Sequence, residues 1–356
     1  MTRTRARLPV LVAVLALLAV ACGNDGAQTG AQPTATVGAT TTTDPGPNKI
    51  TVYSGRGESL VKPLFEQFTR DTGIEVEVRY ADSAALAAQI VEEGSRSPAD
   101  VFFSQDAGAL GALSKRGLLA NAPSEAVAAV DAKYRSRDNT WVGVSGRARV
   151  IVYNPQKVPE AELPKSVFEL TDPKWKGRIG IAPTNASFQA FVTGMRVQAG
   201  EARTKAWLAG LKANEPKTFT GNNPVLAAVD EGQVDLGLIN HYYLFERIKN
   251  LGPDRVVAKN AYTTNGDPGA LINVAGVGVL KSTKAPAASA RFVNYLLARP
   301  AQTFFAEQTS EYPLAAGVPA IAGLVPLAQI QSPNIDLSSL DALEQTLTMI
   351  REAGLL

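Results

Sequence analysis

The sequence is poor in the residues on which most metal and nucleophile chemistry draws. It holds a single cysteine, Cys22, and a single histidine, His241. One cysteine excludes an intrachain disulfide and a cysteine-based metal cluster. A Ser-His-Asp or Cys-His triad would have to use one of these two residues, and no G-x-S-x-G elbow, Walker phosphate loop or histidine metal motif is present. We therefore expect no enzyme. An excess of charge of either sign is also lacking. The formal net charge is +2, and it falls to −1 when Arg3, Arg5 and Arg7 of the leading segment are left aside, so there is no electrostatic case for nucleic acid. No repeat of solenoid period occurs. What remains is ordinary globular composition, 45% hydrophobic and 19% charged, in a chain of 356 residues. That length is too great for one core of typical size and sufficient for two lobes.

The chain opens with an arginine-rich start, an apolar run from Leu8 to Val20, and then Ala21-Cys22-Gly23. The run is too short to span a membrane comfortably and reads as the core of a signal peptide covering residues 1–21. Together these features resemble a bacterial lipoprotein signal, which implies lipidation of Cys22. Ala19 stands three positions before the cysteine, where leucine is commoner. Residues 22–48, including Thr40-Thr41-Thr42-Thr43, have nothing to bury and read as a disordered tether. The working part is expected to be exported and held on the outer face of the cell membrane, or in the periplasm.

From Lys49 onward, short apolar strands alternate with amphipathic stretches, the pattern of an α/β domain. Strands are expected at Ile50–Tyr53, Glu75–Tyr80 and Asp100–Phe103. Helices are expected at Glu58–Thr72, Ser83–Glu93 and Ala107–Lys115. This βαβαβ run requires a parallel sheet with right-handed crossovers. A longer β-rich stretch, Val142–Tyr153, contains Ser145-Gly146-Arg147, which reads as a break. A second series follows: strand Arg178–Ala182, helices Phe188–Gln198, Arg203–Leu211 and Val225–Glu231, strand Val234–Ile239 and helix Tyr242–Asn250. Ala270–Leu280 then reads as strand and Pro286–Leu297 as helix.

Ligands of parallel sheets sit beyond the carboxyl ends of the strands. There the chain places Ser54-Gly55-Arg56-Gly57, Tyr80-Ala81-Asp82-Ser83, Ser104-Gln105-Asp106, Pro183 to Ser187, and Asn240-His241-Tyr242-Tyr243. Tyr242 and Tyr243 follow a strand and open a helix, where the backbone turns and both side chains can approach one ligand. The positive end of that helix would favour phenolate, and a hard trivalent cation would favour it further. One tyrosine in the core beside one facing solvent also explains the pair. The loop before Phe188 could cradle a phosphate or carbonate with its N–H groups and the hydroxyls of Thr184 and Ser187, or serve as a plain helix cap. Arg147 could neutralise such an anion or form a structural ion pair.

Six stretches carry a resemblance: Ile50–Glu58, Ser95–Leu110, Trp141–Asn154, Asp172–Phe188, Val234–Tyr243 and Gly266–Gly276. In order and content they resemble the ferric-binding proteins, the iron receptors of bacterial ABC transporters. The likeness covers nearly all of Lys49 to Leu356. It implies a two-lobed α/β fold of the type II periplasmic-binding-protein class, each lobe a mainly parallel sheet flanked by helices, with a cleft between them. The lobes are expected at residues 49–149 with 273–325, and 150–272 with 326–356.

The resemblance implies that Tyr242 and Tyr243 are paired phenolate ligands to Fe³⁺. It places a synergistic anion, phosphate or carbonate, against Asn185, Ala186 and Ser187, helped by Asn222 and Asn240, with Arg147 available to neutralise it. It also implies that His241 flanks the ligands without being one. The chain departs from the family's best-known members in having Gly57 where they have histidine and Gln105 where they have glutamate. Two phenolates leave one positive charge on Fe³⁺, so a further anionic group is required nearby. Tyr80 and Asp106 are the candidates, against local packing for Tyr80 and helix capping for Asp106. The expected function is capture of Fe³⁺ by a monomeric, lipid-anchored receptor and delivery to a membrane permease and its ATPase. The alternative is a receptor of the same fold for a metal-free anion or small organic solute such as phosphonate or sulfate.

Overall fold

A computed structural model describes residues 48–356. The expected signal peptide, Cys22 and the tether up to Pro47 lie outside the described residues. Strand β1 (Lys49–Ser54) leads into α1 (Glu58–Thr72), β2 (Glu75–Tyr80), α2 (Ser83–Glu93), β3 (Val101–Ser104), α3 (Ala107–Lys115) and α4 (Ser124–Ala129). The long strand β4 (Trp141–Tyr153) carries the chain into β5 (Ile179–Ile181), α5 (Ala186–Ala199), α6 (Glu201–Ala213), β6 (Lys217–Thr218), α7 (Asn222–Asp230), β7 (Leu236–Asn240), α8 (Tyr242–Leu251) and β8 (Lys259–Ala261). It returns through β9 (Ile272–Val279), α9 (Pro286–Leu297), α10 (Arg299–Thr309) and β10 (Tyr312–Pro313), and ends on α11 (Leu343–Glu352).

Local chemistry explains several of these bounds. In α1, Val61, Leu64, Phe65 and Phe68 recur at helical spacing and are buried, and Gly73 ends the helix at φ 73° with its N–H on the Thr69 carbonyl. Phe65 and Phe68 meet the ring of Phe292 of α9 edge-on at 5.3 and 5.1 Å. Strand β3 is buried throughout, whereas β2 alternates and lies at the sheet edge.

The strands run in the order β2-β1-β3-β9-β4-β7-β5-β6. β1 pairs in parallel with β2 and β3, and β5 pairs in parallel with β6 and β7. Between these two groups pass the antiparallel strands β9 and β4. The first part of β4 pairs with β9, and from Arg149 to Tyr153 it pairs with β7. Strand β4 therefore belongs to both lobes. The break expected at Ser145-Gly146-Arg147 is a register shift between Gly143 and Ser145, after which the strand continues. One apolar core spans Ile50–Ala148 and Ala270–Leu340. Two others are built from Val150–Ala258 and Met349–Leu355.

The turn Leu337–Asp341 sits directly on α3. A Cβ at Gly111 would lie 2.3 Å from the Ser338 carbonyl oxygen, and one at Gly108 would lie 2.5 Å from that of Leu340. Since backbone oxygens have little room to retreat, Gly111→Val is expected to cost about 1–3 kcal/mol by overpacking. Urea denaturation checks this, and an unchanged midpoint would refute it.

Candidate functional site

Where β4 passes from one partner strand to the other, a cavity of about 100 Å³ lies between the lobes. Arg147 and Arg149 stand two apart on β4 and so share a face, and both line the cavity. It is closed on one side by Gln105 and Asp106, between β3 and α3, and by Asn273 of β9. Asn185, Ala186, Ser187, Asn240, Tyr242 and Tyr243 line the other side.

The tyrosine pair opens α8, directly after β7. The two rings stack with centroids 4.2 Å apart and planes 28° apart, so both phenols reach the same space. The helix end does not make phenolate easy here. Burial first, then the neighbouring Tyr243, pushes the Tyr242 phenol well above its ordinary range, and Arg147 only partly opposes this. Without a cation Tyr242 keeps its proton at neutral pH.

The loop before α5 is organised around one oxygen. Asn185 Oδ1 accepts from the Ser187 N–H at 3.0 Å, the Ser187 hydroxyl at 2.6 Å and Asn222 Nδ2 at 3.1 Å. The Asn185 amide nitrogen is left as a donor with no partner among the described residues. Asn222 does not line the cavity. Its Nδ2 also donates to Ser187 Oγ at 3.0 Å, so it positions the loop from behind, and its own Oδ1 is buried without a partner.

Arg149 and Asn273 were not anticipated from sequence. Arg149 is 2% exposed, donates to the Leu238 carbonyl at 2.7 Å and to Ser187 Oγ at 3.3 Å, and lies 5.3 Å from the centre of the Phe191 ring. Burial pulls its pKa down to about 9, the two tyrosines opposing, so it remains charged at neutral pH. Its spacing from Arg147 was the available signal. Two arginines two apart on an apolar strand must share a face. Both have a buried Nε–H without a partner among the described residues.

The Asp106 side chain caps α3 through the Ala109 N–H at 3.1 Å, the local role expected of it, and the residue also lines the cavity. Burial raises its carboxyl, against the pull of Ala109 and Arg147. Tyr80 is not among the cavity-lining residues. It packs against the first lobe's core at the end of β2, and burial, with the carboxylates of Glu58 and Glu66, pushes its phenol up to about 12. His241 is fully buried outside the cavity lining. Its Nδ1 accepts from the Ala148 N–H at 3.1 Å, so Nε2–H donates to the Ser310 carbonyl at 3.0 Å, and burial holds its pKa down to about 4.

Behind Gln105 lies a buried ion pair, Arg56 to Glu311, at 2.9 Å with exposures of 1% and 2%. Ser145 donates to the other oxygen of Glu311, and Arg56 Nη1 donates to Gln105 Oε1 at 3.0 Å. Burial alone would raise the Glu311 carboxyl, but Arg56 and Arg147 hold it below the ordinary carboxylate range. Among the described residues, no three of His, Cys, Asp and Glu gather as a metal site, so any hard cation depends on the phenols.

A cavity with two stacked phenols, two buried guanidiniums and a cradle of amide donors is equipped for a cation together with an anion. Comparison with known proteins agrees. Residues 96–330 match the family of bacterial extracellular solute-binding proteins. The chain is 36% identical over 308 residues to an Fe(3+)-binding periplasmic protein of Serratia marcescens, covering 86% of this chain and 90% of that one. Iron-bound HitA from Pseudomonas aeruginosa superposes with a TM-score of 0.79 at 36% identity, over 86% of this chain and 99% of its own. A Trichodesmium protein, IdiA or FutA, in complex with iron and citrate, superposes at 0.76 with 30% identity, over 86% and 100%. The chain belongs to the bacterial extracellular solute-binding proteins, in the ferric-binding protein family.

Proposed function

We propose that this protein is the substrate-binding lipoprotein of an ABC importer, capturing Fe³⁺ in the cleft through the phenolates of Tyr242 and Tyr243. The stacked pair at the mouth of α8 is the observation that carries this reading. Asp106 supplies a carboxylate. A phosphate or carbonate is held by Asn185, Ala186 and Ser187, with Asn240 and Arg147 beside it and Asn222 fixing the loop. The protein acts as a receptor rather than an enzyme. Anchored as a monomer through lipidated Cys22, it hands its cargo to a permease driven by an ATPase. Binding favours the closed arrangement of the two lobes, so iron shifts a population of states.

The chemistry fixes a proton count. Because a phenol must lose its proton to ligate as phenolate, two phenolate ligands should release about two protons per iron. Apparent affinity should therefore fall by about a hundredfold for each unit by which pH is lowered, near neutrality. A pH-stat titration, corrected for protons taken up by the released chelator, measures this directly. The second reading, an anion receptor without metal, is favoured by the two buried guanidiniums, and it predicts anion binding with no such proton release.

A further inference from the structure

His241 stands between β7 and α8, and the β-ladder shows what its ring does there. Register pairs Arg149 of β4 with Asn240 of β7, so the next pair along the ladder is Ala148 with His241. Half of that pair is ordinary, since the His241 N–H donates to the Ala148 carbonyl at 2.9 Å. The other half is not. His241 already has helical dihedrals, φ −58° and ψ −38°, and its carbonyl accepts instead from Asn260 Nδ2 at 2.9 Å. The imidazole fills the gap, its Nδ1 accepting from the Ala148 N–H at 3.1 Å. That assigns the ring proton to Nε2, which donates to the Ser310 carbonyl at 3.0 Å.

The ring is held by its neighbours' rings as well. It lies over Tyr312 with centroids 4.6 Å apart and planes 30° apart, and meets Tyr242 edge-on at 5.9 Å and 85°. Tyr242 in turn stacks on Tyr243. Four rings in succession therefore lead from Tyr312, inside the apolar core that spans Ile50–Ala148 and Ala270–Leu340, to the two phenols that line the cavity. Ala148 belongs to the same core. Ser310 ends α10 in the left-handed region at φ 54°, and the next residue, Glu311, is pinned by Arg56 and Ser145. The anchors of the ring thus lie on that side, whereas Tyr243 packs against the core built from Val150–Ala258. His241 is fully buried with both ring nitrogens engaged, so it has no free lone pair to offer a cation.

We propose that His241 is a positioning residue of the ferric site. Its imidazole carries the ladder between β4 and β7 one pair beyond the end of β7, ties the first turn of α8 to the end of α10, and so fixes the direction from which Tyr242 and Tyr243 enter the cavity. A metal binds best to ligands already in place, because freedom lost on binding counts against affinity. Without the ring's two hydrogen bonds both phenols would still be present, but the start of α8 would be free to shift and their geometry would spread. This inference rests on Tyr242 and Tyr243 being the ferric ligands, and it names the residue that aims them.

The chain has one histidine, so nitrogen-15 labelling of histidine reports on His241 alone. NMR of the full-length protein should show the Nε2–H tautomer with a slowly exchanging ring proton, both empty and loaded with diamagnetic Ga³⁺. The other tautomer, or a ring proton that exchanges freely in the empty protein, would overturn the proposal. His241→Phe keeps a ring and removes both hydrogen bonds. It should weaken iron binding by about ten- to a hundredfold, read by competition against a calibrated ferric chelator, and shift the visible phenolate band. His241→Asn, whose side-chain oxygen can stand where Nδ1 stands, should recover most of that loss. A phenylalanine variant with a lowered urea midpoint but wild-type affinity and band would make the residue merely structural and overturn the proposal, as would an asparagine variant no better than phenylalanine. Should the variants not fold, the NMR result decides alone. A wild-type protein without a phenolate band would overturn the ferric reading itself, and this proposal with it.

Discussion

Glu311→Leu is expected to destabilise the protein by about 3–5 kcal/mol, because it leaves a buried guanidinium without its counter-charge. Arg56 would keep only the amide of Gln105, and Arg147 would lose the negative charge that offsets its burial. Urea denaturation measures the loss. The double variant Arg56→Met with Glu311→Leu removes both charges and should recover most of it, since apolar groups of similar volume replace a buried pair at little cost. A Glu311→Leu midpoint equal to wild type would show that the pair is not part of the fold's stability. The sign with pH follows from the depressed Glu311 carboxyl. Its contribution is complete above the ordinary carboxylate range and is lost as pH falls through and below it.

Tyr242→Phe is expected to weaken iron binding by about a thousandfold or more, equivalent to about 4 kcal/mol. Phenylalanine keeps the stacking on Tyr243 and removes one anionic oxygen, so the loss reports ligation rather than packing. Tyr243→Phe should cost a comparable factor. Competition against a calibrated ferric chelator gives the number. A change of only a few-fold in either variant would mean that the phenol concerned is not a ligand.

Much of the fold was legible because local signals agreed with tertiary ones. The bounds of α1, α2 and α3 follow from helical spacing of apolar residues, and Gly73 marks the first of these ends. The break expected in β4 is reduced to a register shift before Ser145, since β9 pairs with Ser145, Gly146 and Arg147 and overrides their weak strand preference. Helix α10 escaped notice because Arg299-Pro300 reads as a stop. Proline in the first turn is instead compatible with a helix start.

At the site, Tyr242, Tyr243, Asp106, Arg147 and the Asn185 to Ser187 loop are brought to one cavity, while Tyr80 stays with the first lobe's core. What could not be read were partnerships across long stretches of chain. Arg56 and Glu311 are 255 positions apart, and Asn273 meets Ala107 across 166. No local pattern announces either pairing. The burial that raises the Tyr242 phenol likewise has no local signal in the sequence.

The most direct test of the account is a visible absorbance titration of the full-length protein with ferric citrate, repeated on the variant carrying both Tyr242→Phe and Tyr243→Phe. Phenolate bound to Fe³⁺ gives a charge-transfer band that saturates with the metal. A saturable band at one iron per chain is expected in the wild type and none in the double variant. A wild-type protein that develops no band with phosphate or carbonate present, or a double variant that keeps it, would contradict the tyrosine pair as the iron site.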